Sequence, residues 1–271
     1  MSLSLGKALR VGLCLDHLQL LQMTRELSLS GISSRVLEKK LIPCLGATQS
    51  GSALQTLEAA LSALPEKPGS ASVILSNQFL RYAVIPWSDS LSGEAEQQVY
   101  AKHYFGQLYG VPAETWELRL FQEHPGAALF VSAIEKSLLQ GLRELFAAHK
   151  VKLASVQPYL VAAYNHCHAS LQHQQGWLVF FEAGSLCLGY VVDGHWRGIR
   201  SLKVGNLDKL SEILDRESYL CEYDAPSAEV YVWAPEYRIE TMNKSVRWKI
   251  HRLEMQAGPD YEARFAMALC G

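Results

Sequence analysis

The run WLVFFEAGSLCLGYVVDGHWRGIRSLKVG, residues 177–205, reads as three consecutive β-strands joined by two tight turns. Trp177–Glu182, Leu186–Val192 and Ile199–Val204 are rich in β-branched and aromatic residues, and turn signals separate them. The first turn is acid-x-Gly, Glu182-Ala183-Gly184. The second is Asp193-Gly194, a strong two-residue hairpin signal. Leu207, Leu210, Leu214 and Leu220 then predict a helix, and Val230–Trp233 predicts a strand ahead of Pro235. The order is β-β-β-α-β.

The same order occurs earlier in the chain. Leu9–Leu15 and Leu18–Met23 form a predicted hairpin turning near Asp16-His17, and Arg35–Pro43 adds a third strand. Leu54, Leu57, Leu61 and Leu64 mark a helix, which Pro65–Ser70 stops, and Ala71–Leu75 is a strand of the buried type. Between the two repeats lies a distinct block. Phe79–Trp87 predicts a strand, and a helix runs from an N-cap at Ser92 to about Tyr109, with Glu94 and Glu96 in its first turn. Glu114–Gln122 and Leu129–Ala133 read as a β-pair around Pro125-Gly126. Helices at 134–146 and 159–171 flank a strand near 153–156. The expected division is a first lobe, 1–172, with an inserted α+β subdomain at about 79–150, and a second lobe, 173–271. His173–Gly176 is the expected junction.

Lys and Arg number 25 against 27 Asp and Glu, giving a net charge of −2, and no basic run occurs. The footprint expected of a nucleic-acid or anionic-membrane binder is missing. No apolar run approaches the roughly 20 residues that span a bilayer, and no signal-peptide core opens the chain, so a cytosolic location is expected. Cys14, Cys44, Cys167, Cys187, Cys221 and Cys270 are scattered without a CxxC pair, which predicts reduced thiols. GxSxG, HExxH and P-loop motifs are absent. His166 and His168 flank Cys167 on a predicted helix, where residues two apart face different ways, so no metal site is expected there. Ser76-Asn77-Gln78 reads as a turn, and Trp87, Trp177, Trp196 and Trp233 as packing residues at strand ends.

The duplicated order with acid-bearing hairpin turns resembles the actin-like (sugar kinase, Hsp70, actin) nucleotide-binding fold. That fold is α/β and ribonuclease H-like, with two β-β-β-α-β lobes. The resemblance implies Mg-ATP held by an acid-x-Gly turn from each lobe and a late Gly-Gly turn beside the adenosine. Asp16 stands in the first turn, but His17 and Leu18 occupy the places after it. Glu182, Gly184 and Ser185 come nearer the second turn, with Glu in place of Asp. Where the adenosine turn belongs the chain reads Ala234-Pro235-Glu236, and proline has no amide hydrogen to donate.

More narrowly, the hairpin RVGLCLDHLQLLQM, the strand VILSNQFLRYAVIPW and the block FFEAGSLCLGYVVDGHWRGIRSL resemble cytoplasmic actin-like proteins of type IV pilus and type II secretion machines. These are PilM-type, MshI-type and GspL-type proteins. The resemblance implies a scaffold peripheral to the bacterial inner membrane. Such a scaffold binds a short cytoplasmic peptide of a membrane-anchored partner and connects it to a hexameric motor ATPase. The worn nucleotide motifs imply a non-catalytic or weakly ATP-binding member, and a separate partner is expected to supply the anchor. The alternative is an active kinase or ATPase of the same superfamily, with Asp16 and Glu182 as Mg-water ligands.

Overall fold

A computed structural model describes residues 3–28, 31–44, 50–91, 93–171, 174–221, 227–237, 247–255 and 261–270. The first repeat opens with β1 (Leu3–Leu13), β2 (His17–Ser28), β3 (Gly31–Pro43), α1 (Ser50–Ser62) and β4 (Ser70–Leu75). The insert follows as β5 (Leu80–Ile85), α2 (Glu94–Tyr109), β6 (Trp116–Gln122) and β7 (Leu129–Glu135). Next, α3 (Lys136–Ala148) and β8 (Lys152–Pro158) complete the first repeat, and α4 (Tyr159–Leu171) leads out of it. The second repeat has β9 (Gly176–Glu182), β10 (Ser185–Val192), β11 (His195–Leu202), α5 (Leu210–Leu220) and β12 (Glu229–Trp233). Two elements absent from the sequence expectation follow, β13 (Lys249–Arg252) and α6 (Ala266–Cys270).

The two large sheets match strand for strand. One runs β3-β2-β1-β4-β8 and the other β11-β10-β9-β12-β13. In each, the first three strands pair antiparallel and the later two add parallel. A parallel neighbour requires a crossover, which is why a helix separates the third strand from the fourth. The turn after β10 adopts positive φ at both Asp193 (53°) and Gly194 (79°). That is the geometry of a type I′ turn, whose twist matches the strands it joins.

By their internal contacts the residues form two compact units. One comprises 1–80, 134–162 and 257–271, the other 81–133 and 163–256. This differs from a lengthwise split at residue 172. In chain order the insert interrupts the first repeat, but its contacts place 81–133 with the second sheet. Residues 261–270 belong with the first sheet. The expected N-cap Ser92 lies outside the described residues; α2 is capped by Gly93, whose N–H donates to Glu96 Oε2 at 3.1 Å.

In the second unit β9 is buried along its whole length, so both sheet faces are covered. Trp177, Val179 and Phe181 join Val230, Val232, Leu210 and Leu214 in one core, under α5. Trp233, paired with Phe180, belongs to the opposite face, where the His166 ring of α4 lies 5.7 Å away. His166 is therefore half-buried packing, and burial holds its pKa below the usual histidine value.

Distant segments pin the first unit. Gln19 is fully buried, and its Oε1 accepts the Ala268 N–H at 3.0 Å. Gly12, opposite Gln19 in register, leaves that side chain room, since a Cβ there would lie 3.0 Å from Gln19 Oε1. Phe265 and Ala268 pack on Leu21 and Met23 beside this bond. Ser76-Asn77-Gln78 is indeed a turn, with Ser76 Oγ accepting the Gln78 N–H. It also caps a helix: Asn77, 2% exposed, accepts the Leu160 N–H of the first turn of α4 at 2.9 Å. Asn77→Ala leaves that donor buried and unmet. Chemical unfolding should show a loss of about 1–3 kcal/mol.

Candidate functional site

The insert and the second sheet enclose a cleft of about 580 Å³ within the second unit. One wall is β11, the outermost strand of its sheet among the described residues, contributing Arg197 through Leu202. The facing wall is Tyr82–Val84 of β5, an outer strand of the three-stranded sheet β5-β7-β6. Leu108 and Tyr109 of α2 and Leu220 of α5 form an exposed apolar rim.

The packing that builds these walls is specific. Trp196 of β11 lies over Gly189, where a Cβ would come within 2.2 Å of the indole. Its ring sits 5.4 Å from Phe130 of β7 and 5.0 Å from Tyr164 of α4. Beside it His195 Nδ1 meets Glu123 Oε2 at 2.7 Å. Together these contacts hold the insert against β10 and β11, and so set the width of the cleft.

Two features give the cleft polar character. Glu217 of α5 is buried, and its carboxylate is met by Arg216 at 2.8 Å and by the exposed Arg200 at 3.4 Å. The indole Nε1 of Trp177, 3% exposed, has no hydrogen-bond acceptor among the described residues. A buried donor left unmet costs about 1–3 kcal/mol, and this one is sealed beneath the cleft wall, with its ring 5.0 Å from Tyr190 and 6.5 Å from Trp248.

The residues singled out in the sequence fall in three places. Asp16 lies in the β1–β2 turn of the first unit, exposed, with Oδ1 accepting from His17 Nδ1 at 2.8 Å. Leu18, where the resemblance asks for glycine, is wholly buried. Glu182, Gly184 and Ser185 form the β9–β10 turn of the second unit. Glu182 pairs with Ser185 across it, and Gly184 has φ of 80°. Glu182 is only 8% exposed. Burial pushes the Cys187 thiol up to about 12, and the Glu182 carboxylate adds to that rise. Burial likewise raises Tyr82 well above the ordinary phenol value. At the third place, Ala234 accepts the Tyr237 N–H at 3.0 Å, closing a turn through Pro235.

A smaller recess of about 510 Å³ follows β11, with Lys203, Lys209 and Arg216 in its lining. Sequence reasoning missed both recesses: the larger joins segments far apart in the chain, and the smaller, though confined to residues 202–216, depends on how β11 runs into α5. It also missed the meeting of Cys14, Asp16 and His17, whose ligand atoms all lie within 4.8 Å of one another. Four of the six thiols, Cys14, Cys44, Cys167 and Cys187, are buried, and none of the six is in a disulfide among the described residues. No helix among the described residues is long and apolar enough to cross a membrane.

No protein-family model matches the chain, and no curated relative does. Solved structures do. The cytoplasmic domain of EpsL, an inner-membrane component of the type II secretion system of Vibrio cholerae, superposes with a TM-score of 0.58 at 9% identity, over 97% of this chain and 94% of that one. A Bacteroides thetaiotaomicron protein of unknown function with an actin-like ATPase fold gives 0.59 at 12% identity, over 91% and 90%. The PilM–PilN type IV pilus biogenesis complex gives 0.54 at 13% identity, over 83% and 80%. With two sheets of identical strand order and these likenesses over most of its length, the chain has the actin-like ATPase fold.

Proposed function

We propose that this protein is a cytoplasmic scaffold of a type IV pilus or type II secretion-like apparatus. In this reading it docks an extended peptide from a membrane-anchored partner in the cleft of the second unit. The carrying observation is that cleft: an outermost strand and an exposed apolar rim lining one space, with Arg200 at its side. A strand laid along β11 would gain main-chain hydrogen bonds, and alternate side chains would reach the rim and the Arg200 side. The likeness to a complex of two pilus proteins supports the choice of partner, and the anchor in this reading belongs to that partner. A motor ATPase is the further partner the reading implies.

The direct experiment is fluorescence anisotropy with synthetic peptides covering the cytoplasmic segments of the inner-membrane pilus and secretion proteins of the same cell. Saturable binding of one peptide is expected, and failure of all of them overturns the reading. The rival reading, an ATP-dependent enzyme, is tested by thermal unfolding with and without millimolar Mg-ATP. The scaffold reading expects a shift below about 1 °C, since a ligand at 100 times its Kd adds about 2.7 kcal/mol and several degrees. A shift of that larger size, lost in Glu182→Ala, would put the enzyme ahead.

A further inference from the structure

We propose that the β1–β2 turn is a zinc site formed by Cys14 Sγ, a ring nitrogen of His17 and a carboxylate oxygen of Asp16. This inference is independent of the peptide-docking reading. The three ligand atoms already lie within 4.8 Å of one another. A tetrahedral zinc ion with bonds of about 2.0–2.3 Å needs them about 3.3–3.8 Å apart, a difference that side-chain rotation covers. The backbone is set for it: the Cys14 N–H donates to His17 O at 3.0 Å, closing the turn so that residues 14 and 17 face each other. The Cys44 N–H donates to Asp16 O at 2.7 Å and anchors the middle of the turn.

The donor set suits zinc better than magnesium. Thiolate and imidazole are borderline-soft ligands that hard Mg²⁺ avoids, while Zn²⁺ takes S, N and O together. Charge also balances. The Cys14 thiol gives up its proton to solvent on binding, and thiolate plus carboxylate neutralise the dication. The sulfur lies at the buried end, with the Met267 thioether 3.7 Å behind it. Asp16 is exposed and His17 partly so, which leaves a path for the ion. The Gln19 amide nitrogen, 3.4 Å from His17 Nε2, packs against the imidazole from the opposite side. The x position of the acid-x-Gly pattern, held here by His17, thus supplies the nitrogen ligand.

The experiment uses the full chain, freed of metal under reducing conditions. Zinc is titrated against a chromogenic chelator, and cobalt is added in parallel as a spectroscopic probe. One equivalent of zinc should bind, insensitive to millimolar Mg²⁺, and cobalt should show the thiolate charge-transfer band. Cys14→Ser should abolish the band, and His17→Gln should weaken zinc binding by at least about 100-fold, the range already seen for losing a supporting group. Because Cys14 is buried, His17→Gln on the partly exposed side is the decisive variant, with metal-free melting as its folding control. A cobalt spectrum without the thiolate band, or zinc affinity unchanged in His17→Gln, overturns the site.

Discussion

Replacing Leu108 and Leu220 together by glutamate should weaken partner-peptide binding by about 10- to 100-fold while leaving the melting temperature nearly unchanged. The two leucines are 55% and 51% exposed in the free protein, so the fold loses little when they go. On docking, each would bury its remaining apolar surface, roughly half of the 1.5–3 kcal/mol that full burial of such a side chain is worth. Two such losses make about 1.5–3 kcal/mol, which is the stated change in Kd. The added carboxylates also have to be desolvated. Tyr219→Glu is the control. That residue is 88% exposed, adjoins Leu220 in sequence and is not part of the cleft lining, so its variant should bind as the wild type does. If the control falls as far as the double variant, the peptide lies elsewhere on α5.

Trp233→Ala should destabilise the protein by about 3–5 kcal/mol and lower the melting temperature on the order of 10 °C. Trp233 has no exposed surface and ends β12, the strand that joins β9 to β13. Its removal opens a cavity between the sheet and α4, and the nearby His166 ring is too small and too polar to fill it. Against a typical total of 5–15 kcal/mol the loss is large. Urea unfolding followed by near-ultraviolet circular dichroism measures it. A loss below about 1 kcal/mol would mean that the face repacks.

The inner strands of both repeats were legible because each is a largely buried apolar run bounded by turn residues with a fixed backbone preference. Asp193-Gly194 is the clearest instance, since few other pairs take positive φ twice. β13 escaped notice for the opposite reason. Lys249-Ile250-His251-Arg252 lies at a sheet edge, mostly exposed, and carries one apolar side chain. α6 spans Ala266–Cys270, too short to show a helical period, and its place depends on Gln19 far upstream. The alliance of the insert with the second sheet rests on Phe130, Glu123, Trp196 and His195, contacts that no local pattern encodes. The turn acids were visible as residue types. That Glu182 is buried beside Cys187, and that Asp16 shares its turn with a thiol, depends on which way each strand faces.

The bond between Gln19 and Ala268 spans 249 residues. At roughly 5–20 residues per second, a ribosome needs about 12–50 s to deliver the second partner after the first. Throughout that interval Leu21 and Met23 lack the Phe265 that covers them, and β1 and β2 also wait for β8 to complete their sheet. The sheet of the other unit also closes late, with β13 at residues 249–252. Each half therefore draws on late-made residues before its sheet is closed or covered. A chain cut short before Phe265 is expected to leave Leu21 and Met23 uncovered, an exposed apolar patch on the first sheet.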